Sequence, residues 1–159
     1  MEKSIIVGIS DMAVARTPAV VATYALGSCV GICLFDQVAH VGGLSHILLP
    51  KRNNNDNYMK FADSAIPLLV QKLEQIGAHR LRLRAKIAGG AQMFNVGRSD
   101  SALGNIGQRN IESVKGALQT EKIRIYAEDT GKDFGRSIFF DVNTGVLKIK
   151  TAFNKTYDI

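Results

Sequence analysis

Two apolar runs of strand length, separated by a short polar break, dominate the first third of the chain. They span residues 30–35 and 41–49. Neighbouring apolar runs of this length predict a β-hairpin. If its turn is centred just after Gln37, Cys29 lies directly opposite His46, since cross-strand partners then have residue numbers with a constant sum.

Helical spacing of apolar residues marks two later segments, 58–76 and 111–118. Pro67 predicts either a kink in the first helix or a regular part that begins near Asp63 as N-cap, and Gly77 predicts its end. Apolar runs or alternating patterns predict the remaining strands. Those strands are 5–9, 19–23, 81–87, 122–126, 137–141 and 146–150.

About eight strands and two long helices predict an α/β fold with mixed or antiparallel sheets. Several strands follow one another without a helical crossover, which argues against a doubly wound parallel sheet. The 159 residues are 46% hydrophobic and contain no repeats or linkers, so we expect residues 1–159 to form a single domain.

A formal net charge of +6 favours contact with an acidic partner. Basic residues alternate with apolar ones over 80–87, which predicts a strand with one strongly basic face. No aromatic residue alternates with these charges to stack on bases, so we favour a solvated face that helps attract an acidic partner and expect no nucleic-acid binding. The alternative is a nucleic-acid groove formed by residues 80–86, whose affinity would fall steeply with salt. No apolar run approaches the ~20 residues that span a bilayer, and no secretory signal is evident, which predicts a cytoplasmic protein without membrane insertion.

The predicted Cys29–His46 pair supports nucleophilic chemistry. An adjacent imidazole lowers the pKa of a thiol and produces the reactive thiolate. Gly27-Ser28 allows a sharp turn that aims the Cys29 N–H at an oxyanion, and the Thr23 hydroxyl is placed to orient the imidazole. The alternative is that Cys29 is a small buried apolar residue and His46 a satisfied core or surface residue.

The sequence indicates neither a disulfide nor a site for a metal or cofactor. Cys29 and Cys33 lie four residues apart, roughly 13 Å along a strand, which is too far for a disulfide. The three histidines are scattered and no Cys-x-x-Cys occurs, so no metal or cofactor is predicted. Residues 88–91, Ala-Gly-Gly-Ala, match no phosphate-binding fingerprint and predict a turn or a close backbone approach.

Segments 23–31 (TYALGSCVG) and 43–50 (GLSHILLP) resemble the signature of the CheD family of chemoreceptor glutamine deamidases. Further similar segments follow in the same order at 86–94, 105–110 and 127–137, so the resemblance covers nearly the whole chain. One departure is Ala25, where glycine is expected in many relatives.

The resemblance implies that Cys29 is the nucleophile, His46 its base and Thr23 the third member of the site. It also implies a layered α/β sandwich of the cysteine-hydrolase type found in bacterial toxin deamidases, and hydrolysis of receptor glutamines without a cofactor. The implied partners of this monomer are the cytoplasmic helices of chemoreceptors and a CheC-type phosphatase. An alternative function is a binding module for such a phosphatase or for receptors, with catalysis secondary.

Overall fold

Two mixed sheets and two helices form three layers in the computed structural model, which describes residues 2–54, 57–93 and 105–159. The strands are β1 (Lys3–Val7), β2 (Asp11–Arg16), β3 (Ala19–Leu26), β4 (Val30–Asp36), β5 (Val41–Ile47), β6 (Arg84–Gly89), β7 (Arg124–Thr130), β8 (Arg136–Asp141), β9 (Leu147–Thr151) and β10 (Thr156–Asp158). The helices are α1 (Ala62–Gln75) and α2 (Ile106–Thr120).

Each sheet contains five strands, in the orders β1-β3-β8-β9-β10 and β2-β5-β4-β6-β7. The pairs β1–β3 and β6–β7 are parallel and the other pairs are antiparallel. The predicted layered α/β fold with mixed sheets is therefore confirmed. No helix among the described residues is long and apolar enough to span a membrane.

The second sheet is covered on both faces. The first sheet packs against one face through side chains such as Ile138 and Phe140, and the helices pack against the other through Leu69 and Val114. Strands β4 and β5 are consequently buried along their whole length. This is why both strands are continuous apolar runs and do not alternate with polar residues.

The β4–β5 hairpin is confirmed, but its predicted register is wrong by two residues. Gly31, not Cys29, pairs with His46, because the connection is the longer turn 37–40. The Asp36 carboxylate sets this turn by accepting two of its backbone N–H groups at 3.0 Å. A shift of two residues preserves the face of every side chain, so Cys29 still lies in the core between the sheets.

The predicted basic strand begins later than its alternating pattern indicates. Residues Arg80–Arg82 form a 3-10 turn, β6 begins at Arg84, and Leu81 is 86% exposed. The buried Asp36 carboxylate accepts the His79 N–H and the Arg82 Nε–H, and the His79 ring accepts the Leu81 N–H. These side-chain bonds hold the segment in a turn that the apolar pattern does not encode.

Helix α1 begins at Ala62 with Phe61 as its N-cap, and Pro67 lies within it. The expectation that Asp63 caps the helix is wrong, because its carboxylate instead accepts the Arg52 N–H at 2.8 Å. The helix ends before Gly77, whose φ of +110° is accessible to glycine, as predicted.

Candidate active site

Thr23 and His46 come from different sheets and meet where the two sheets face each other. Thr23 lies on β3 and His46 on β5, and both are fully buried. The Thr23 Oγ1 atom lies 2.7 Å from His46 Nδ1 and 2.7 Å from the Val7 carbonyl oxygen. One hydrogen-bond chain therefore runs from β1 through β3 to the imidazole.

This chain sets the proton positions on the ring. The Val7 carbonyl only accepts, so Thr23 donates its single hydroxyl proton to it. His46 Nδ1 must then carry a proton and donate it to Thr23, which leaves Nε2 unprotonated in the neutral ring. Nε2 is buried and has no hydrogen-bond partner among the described residues. The imidazole thus presents a bare basic nitrogen.

Burial keeps His46 neutral. It lowers the pKa of His46 from about 6.5 to about 4, because the imidazolium loses its hydration in the core. A group whose pKa is lowered in this way is deprotonated above pH 4 and gains its proton only as the pH falls through that value. His46 is therefore available as a base throughout the neutral range.

Cys29 lies immediately before β4, in the core between the sheets. It is 6% exposed, whereas Cys33 is fully buried, so Cys29 is the cysteine that solvent reaches. Burial raises the pKa of the Cys29 thiol, and hydrogen bonding from its own backbone opposes this increase. The thiol is therefore neutral at rest, contrary to the expectation of a lowered pKa, because desolvation penalises thiolate and imidazolium alike.

The loop that carries Cys29 packs against the glycine-rich segment after β6. Gly90 N–H donates to the Cys29 carbonyl at 2.8 Å, and Ala91 N–H donates to the Gly27 carbonyl at 2.9 Å. A Cβ atom on Gly89 would lie 2.3 Å from the Cys29 carbonyl oxygen. The predicted close backbone approach is confirmed, and it holds the backbone of Cys29.

The backbone bends at Gly27 and Ser28, as expected, but the positive φ lies earlier, at Ala25. Ala25 has a φ of +59°, and the pairing of β3 with β8 changes register between Thr23 and Leu26. Gly27 N–H then donates to the Ala25 carbonyl at 3.1 Å. The positive φ explains why glycine is expected at position 25, since glycine adopts it without steric cost.

A buried ion pair joins the two sheets close to this loop. Arg136 begins β8, where it pairs with Leu26, and Asp129 lies on β7. Arg136 Nε donates to Asp129 Oδ2 at 3.0 Å, and the Tyr157 hydroxyl donates to the same oxygen at 2.6 Å. Since β7 and β8 belong to different sheets, these bonds fix one sheet relative to the other.

Asn110 connects α2 to the segments that carry Cys29 and His46, and the sequence did not reveal it. It lies on α2, fully buried, and its Nδ2 donates to the Ser28 carbonyl at 2.9 Å and to the Leu48 carbonyl at 3.1 Å. Ser28 precedes Cys29, and Leu48 lies two residues after His46. Position 110 falls in a segment that resembles CheD, but no spacing rule links it to Ser28, 82 residues away.

Asn110→Ala is expected to lower the free energy of unfolding by about 1–3 kcal/mol, and to lower any activity of the site at least tenfold, because two buried carbonyls lose their donor. Asn110→Asp preserves the size but places a carboxylate against the same carbonyls, so its activity should recover partly as protonation at low pH restores one donor. Denaturant unfolding and initial rates measure the two effects.

Ser113→Ala is the matched control, since Ser113 Oγ ties the same helix to the Pro50 carbonyl at 2.6 Å without reaching the Cys29 loop. The Ser113→Ala variant should have a lower free energy of unfolding and an unchanged reaction rate. Equal loss of activity in Asn110 and Ser113 variants of equal stability would show that Asn110 acts only on the fold.

Other candidate chemistry lies apart from this group. A cavity of about 870 Å³ forms a groove between α1 and α2, and Thr23, Cys29 and His46 do not line it. Within the described ranges, no group of three or more His, Cys, Asp or Glu side chains could hold a metal ion. We therefore locate the candidate chemistry at the junction of the sheets.

Fold and site together define a layered α/β protein in which a threonine and a histidine are hydrogen-bonded where its two sheets meet. A cysteine lies in the core between the same sheets and makes no hydrogen bond with that histidine. Comparison with known proteins shows that the chain belongs to the CheD family, because residues 48–151 match the family described as CheD chemotactic sensory transduction. The matched segment begins after Thr23, Cys29 and His46, so it carries no information on those three positions.

Full-length relatives extend the similarity to the N-terminal part. A Clostridium botulinum (strain Hall) protein named probable chemoreceptor glutamine deamidase CheD is 46% identical over 160 residues, which cover 99% of this chain and 98% of the relative. A Syntrophomonas wolfei protein of the same name is 46% identical over 154 residues, 95% of each chain. The predicted family is confirmed.

A solved structure supports the fold alone. A Neisseria meningitidis protein of the DUF152 family has a TM-score of 0.55 and 9% sequence identity over 82% of this chain. The chain spans 64% of that protein's length. At this identity the likeness concerns the arrangement of sheets and helices.

Proposed function

We propose that this chain is a chemoreceptor glutamine deamidase, which hydrolyses the side-chain amide of receptor glutamines to glutamate and ammonia. Its membership of the CheD family and its 46% identity to proteins of that name support this activity. The observation that carries the chemistry is the Val7–Thr23–His46 hydrogen-bond chain, which leaves His46 Nε2 as a base in the core that holds Cys29.

In the first half of the proposed reaction, the Cys29 sulfur attacks the glutamine carboxamide carbon while His46 Nε2 takes the thiol proton. A C–S bond forms, and the C=O electron pair moves to oxygen. Backbone N–H groups at Ser28 and Cys29 stabilise that oxyanion. When the carbonyl re-forms, the C–N bond breaks, Nε2 returns the proton to nitrogen, and ammonia leaves.

In the second half, Nε2 removes a proton from water, which attacks the thioester carbon. The C–S bond breaks, the thiol regains its proton, and the glutamate side chain is released. Thr23 stays bonded to Nδ1 throughout and keeps the ring in the tautomer that exposes Nε2 to the reacting atoms. The same acyl transfer would hydrolyse methyl esters of glutamate.

The family resemblance also supports a CheC-type phosphatase as a second partner of a monomeric enzyme. It supports action in the cytoplasm, on the cytoplasmic helices of the receptors. The role as a binding module with catalysis secondary predicts that variants without the thiol keep every function of the protein.

Thr23→Val tests the orienting role, because valine keeps the shape of the side chain and removes the oxygen that accepts from Nδ1. We expect kcat to fall about 10–100-fold with little change in KM, since the base loses its fixed tautomer and not its contact with substrate. Deamidation of a receptor cytoplasmic fragment, followed by mass spectrometry, measures both constants.

Thr23→Ser is the control, because it keeps the hydroxyl and should keep most of kcat. An unchanged kcat in folded Thr23→Val would exclude Thr23 from the mechanism.

A further inference from the structure

A cationic surface lies at the end of β6 and β7 that is distant from Cys29. We call it the Arg84–Arg124 surface; it borders a cavity of about 420 Å³. Its members are Val38, Leu81, Arg84, Lys122, Arg124 and Tyr126. Gly89, which contacts the Cys29 backbone, lies five residues along β6 from Arg84, or about 17 Å. The surface is therefore separate from the catalytic group.

Its positive charges are not neutralised within the described part of the chain. The neighbouring Arg80 forms ion pairs with Glu74 and Glu121, and Arg82 forms one with Asp36. In contrast, Arg84, Lys122 and Arg124 form no ion pair with any described carboxylate. Three cations thus remain available to a ligand.

The two arginines are held together on one aromatic ring. Arg84 pairs with Arg124 across the parallel β6–β7 register, and both side chains are exposed. Their guanidinium carbons lie 4.7 Å and 5.8 Å from the centroid of the Tyr126 ring, which is 50% exposed. Like charges opposite each other repel, and the ring offsets part of this repulsion. An anionic ligand bound between the two guanidinium groups would offset the repulsion that remains.

Apolar side chains beside the cations identify the class of ligand. Leu81 and Val38 are 86% and 69% exposed at the same cavity. Single-stranded nucleic acid would find one aromatic platform here, whereas its binding grooves use successive ones, and its phosphates match no aliphatic side chain. A protein segment with acidic and aliphatic residues matches both features, since carboxylates form bidentate pairs with arginine.

We propose that the Arg84–Arg124 surface docks an acidic, amphipathic segment of a partner protein. The carboxylates of that segment bind Arg84, Arg124 and Lys122, and its aliphatic side chains pack on Leu81 and Val38. Docking there leaves the Cys29 loop untouched, so it changes the affinity for the partner and not the chemistry. This proposal does not require deamidation, because binding alone tests it.

The test compares two double charge reversals that change the net charge equally. Arg84→Glu/Arg124→Glu removes the docking cations, and Lys148→Glu/Lys150→Glu alters two exposed lysines of β9, on the other sheet. The probes are a fluorescent synthetic peptide with Glu and Leu at helical spacing, the same peptide with Gln in place of Glu, and a single-stranded oligonucleotide of equal charge.

We expect the acidic peptide to bind the wild type and the lysine variant alike, with a Kd that rises with salt, and the arginine variant at least tenfold more weakly. The glutamine peptide should not bind. Arg84→Gln/Arg124→Gln gives the same comparison should the reversal fail to fold.

Three results would overturn the proposal. Equal weakening in both reversals would show an effect of net charge alone. Tighter binding of the oligonucleotide, lost on arginine substitution, would assign the surface to nucleic acid. Absence of peptide binding at low salt would leave the surface without this function.

Discussion

Cys29→Ala is expected to abolish deamidation of receptor glutamines, by roughly 10⁴-fold or more, while the protein remains folded. The reason is that the sulfur forms the bond to the substrate carbon, and no other group can replace it in the proposed cycle. Each converted glutamine gains roughly one dalton as nitrogen and hydrogen are replaced by oxygen, so mass spectrometry of a receptor fragment counts conversions directly.

Cys33→Ala is the matched control, because Cys33 is the other cysteine of the chain and lies fully buried on the strand that follows Cys29. Burial raises the pKa of its thiol, which favours the unreactive protonated form. The Cys33→Ala variant should keep its rate of deamidation. Its free energy of unfolding should fall by about 1 kcal/mol or more, because the substitution leaves a cavity. Continued mass gain with Cys29→Ala would eliminate the thioester mechanism.

Gly89→Ala is expected to lower the free energy of unfolding by about 3 kcal/mol or more, and to reduce activity in the fraction that remains folded. Two costs add at this position. The φ of +108° is strained for alanine, and the new methyl group would lie 2.3 Å from the Cys29 carbonyl oxygen. That oxygen is backbone, so relief requires movement of the loop that carries Cys29. Urea unfolding and initial rates report the two losses.

Gly116→Ala makes the same chemical change, but we expect it to raise the free energy of unfolding. Gly116 lies within α2, has no positive φ, and a Cβ there would contact nothing within 4 Å. Alanine should stabilise the helix by up to about 1 kcal/mol and leave the rate unchanged. Similar losses of stability in Gly89→Ala and Gly116→Ala would mean that the close approach to the Cys29 carbonyl does not explain why position 89 requires glycine.

Apolar patterning predicted the fold class and most strands, because buried β4 and β5 leave a continuous signal in the sequence. It did not predict features that polar side chains decide. The Asp36 carboxylate closes the turn after β4 and also captures His79 and Arg82. The hairpin register and the start of β6 both depend on that one buried acid, which is why both predictions were wrong.

The site was accessible to sequence reasoning only in part. An error of two residues in register preserves the face, so Cys29 and His46 were assigned to the same side despite the wrong pairing. The catalytic roles of Cys29, His46 and Thr23, and the oxyanion role of Gly27-Ser28, stay predictions. Asn110 could not be found in this way, since its partners are brought to it by the packing of α2 on the sheet.

The hydrogen bond between Thr23 and His46 crosses from one sheet to the other. A hydrogen bond weakens steeply when its atoms separate or misalign, so a small slip of the two layers would release His46 from Thr23 before any strand or helix melts. Under the proposed mechanism, activity should therefore depend on how closely the two sheets keep their relative position. On gradual heating it would fade ahead of the circular-dichroism signal of the helices.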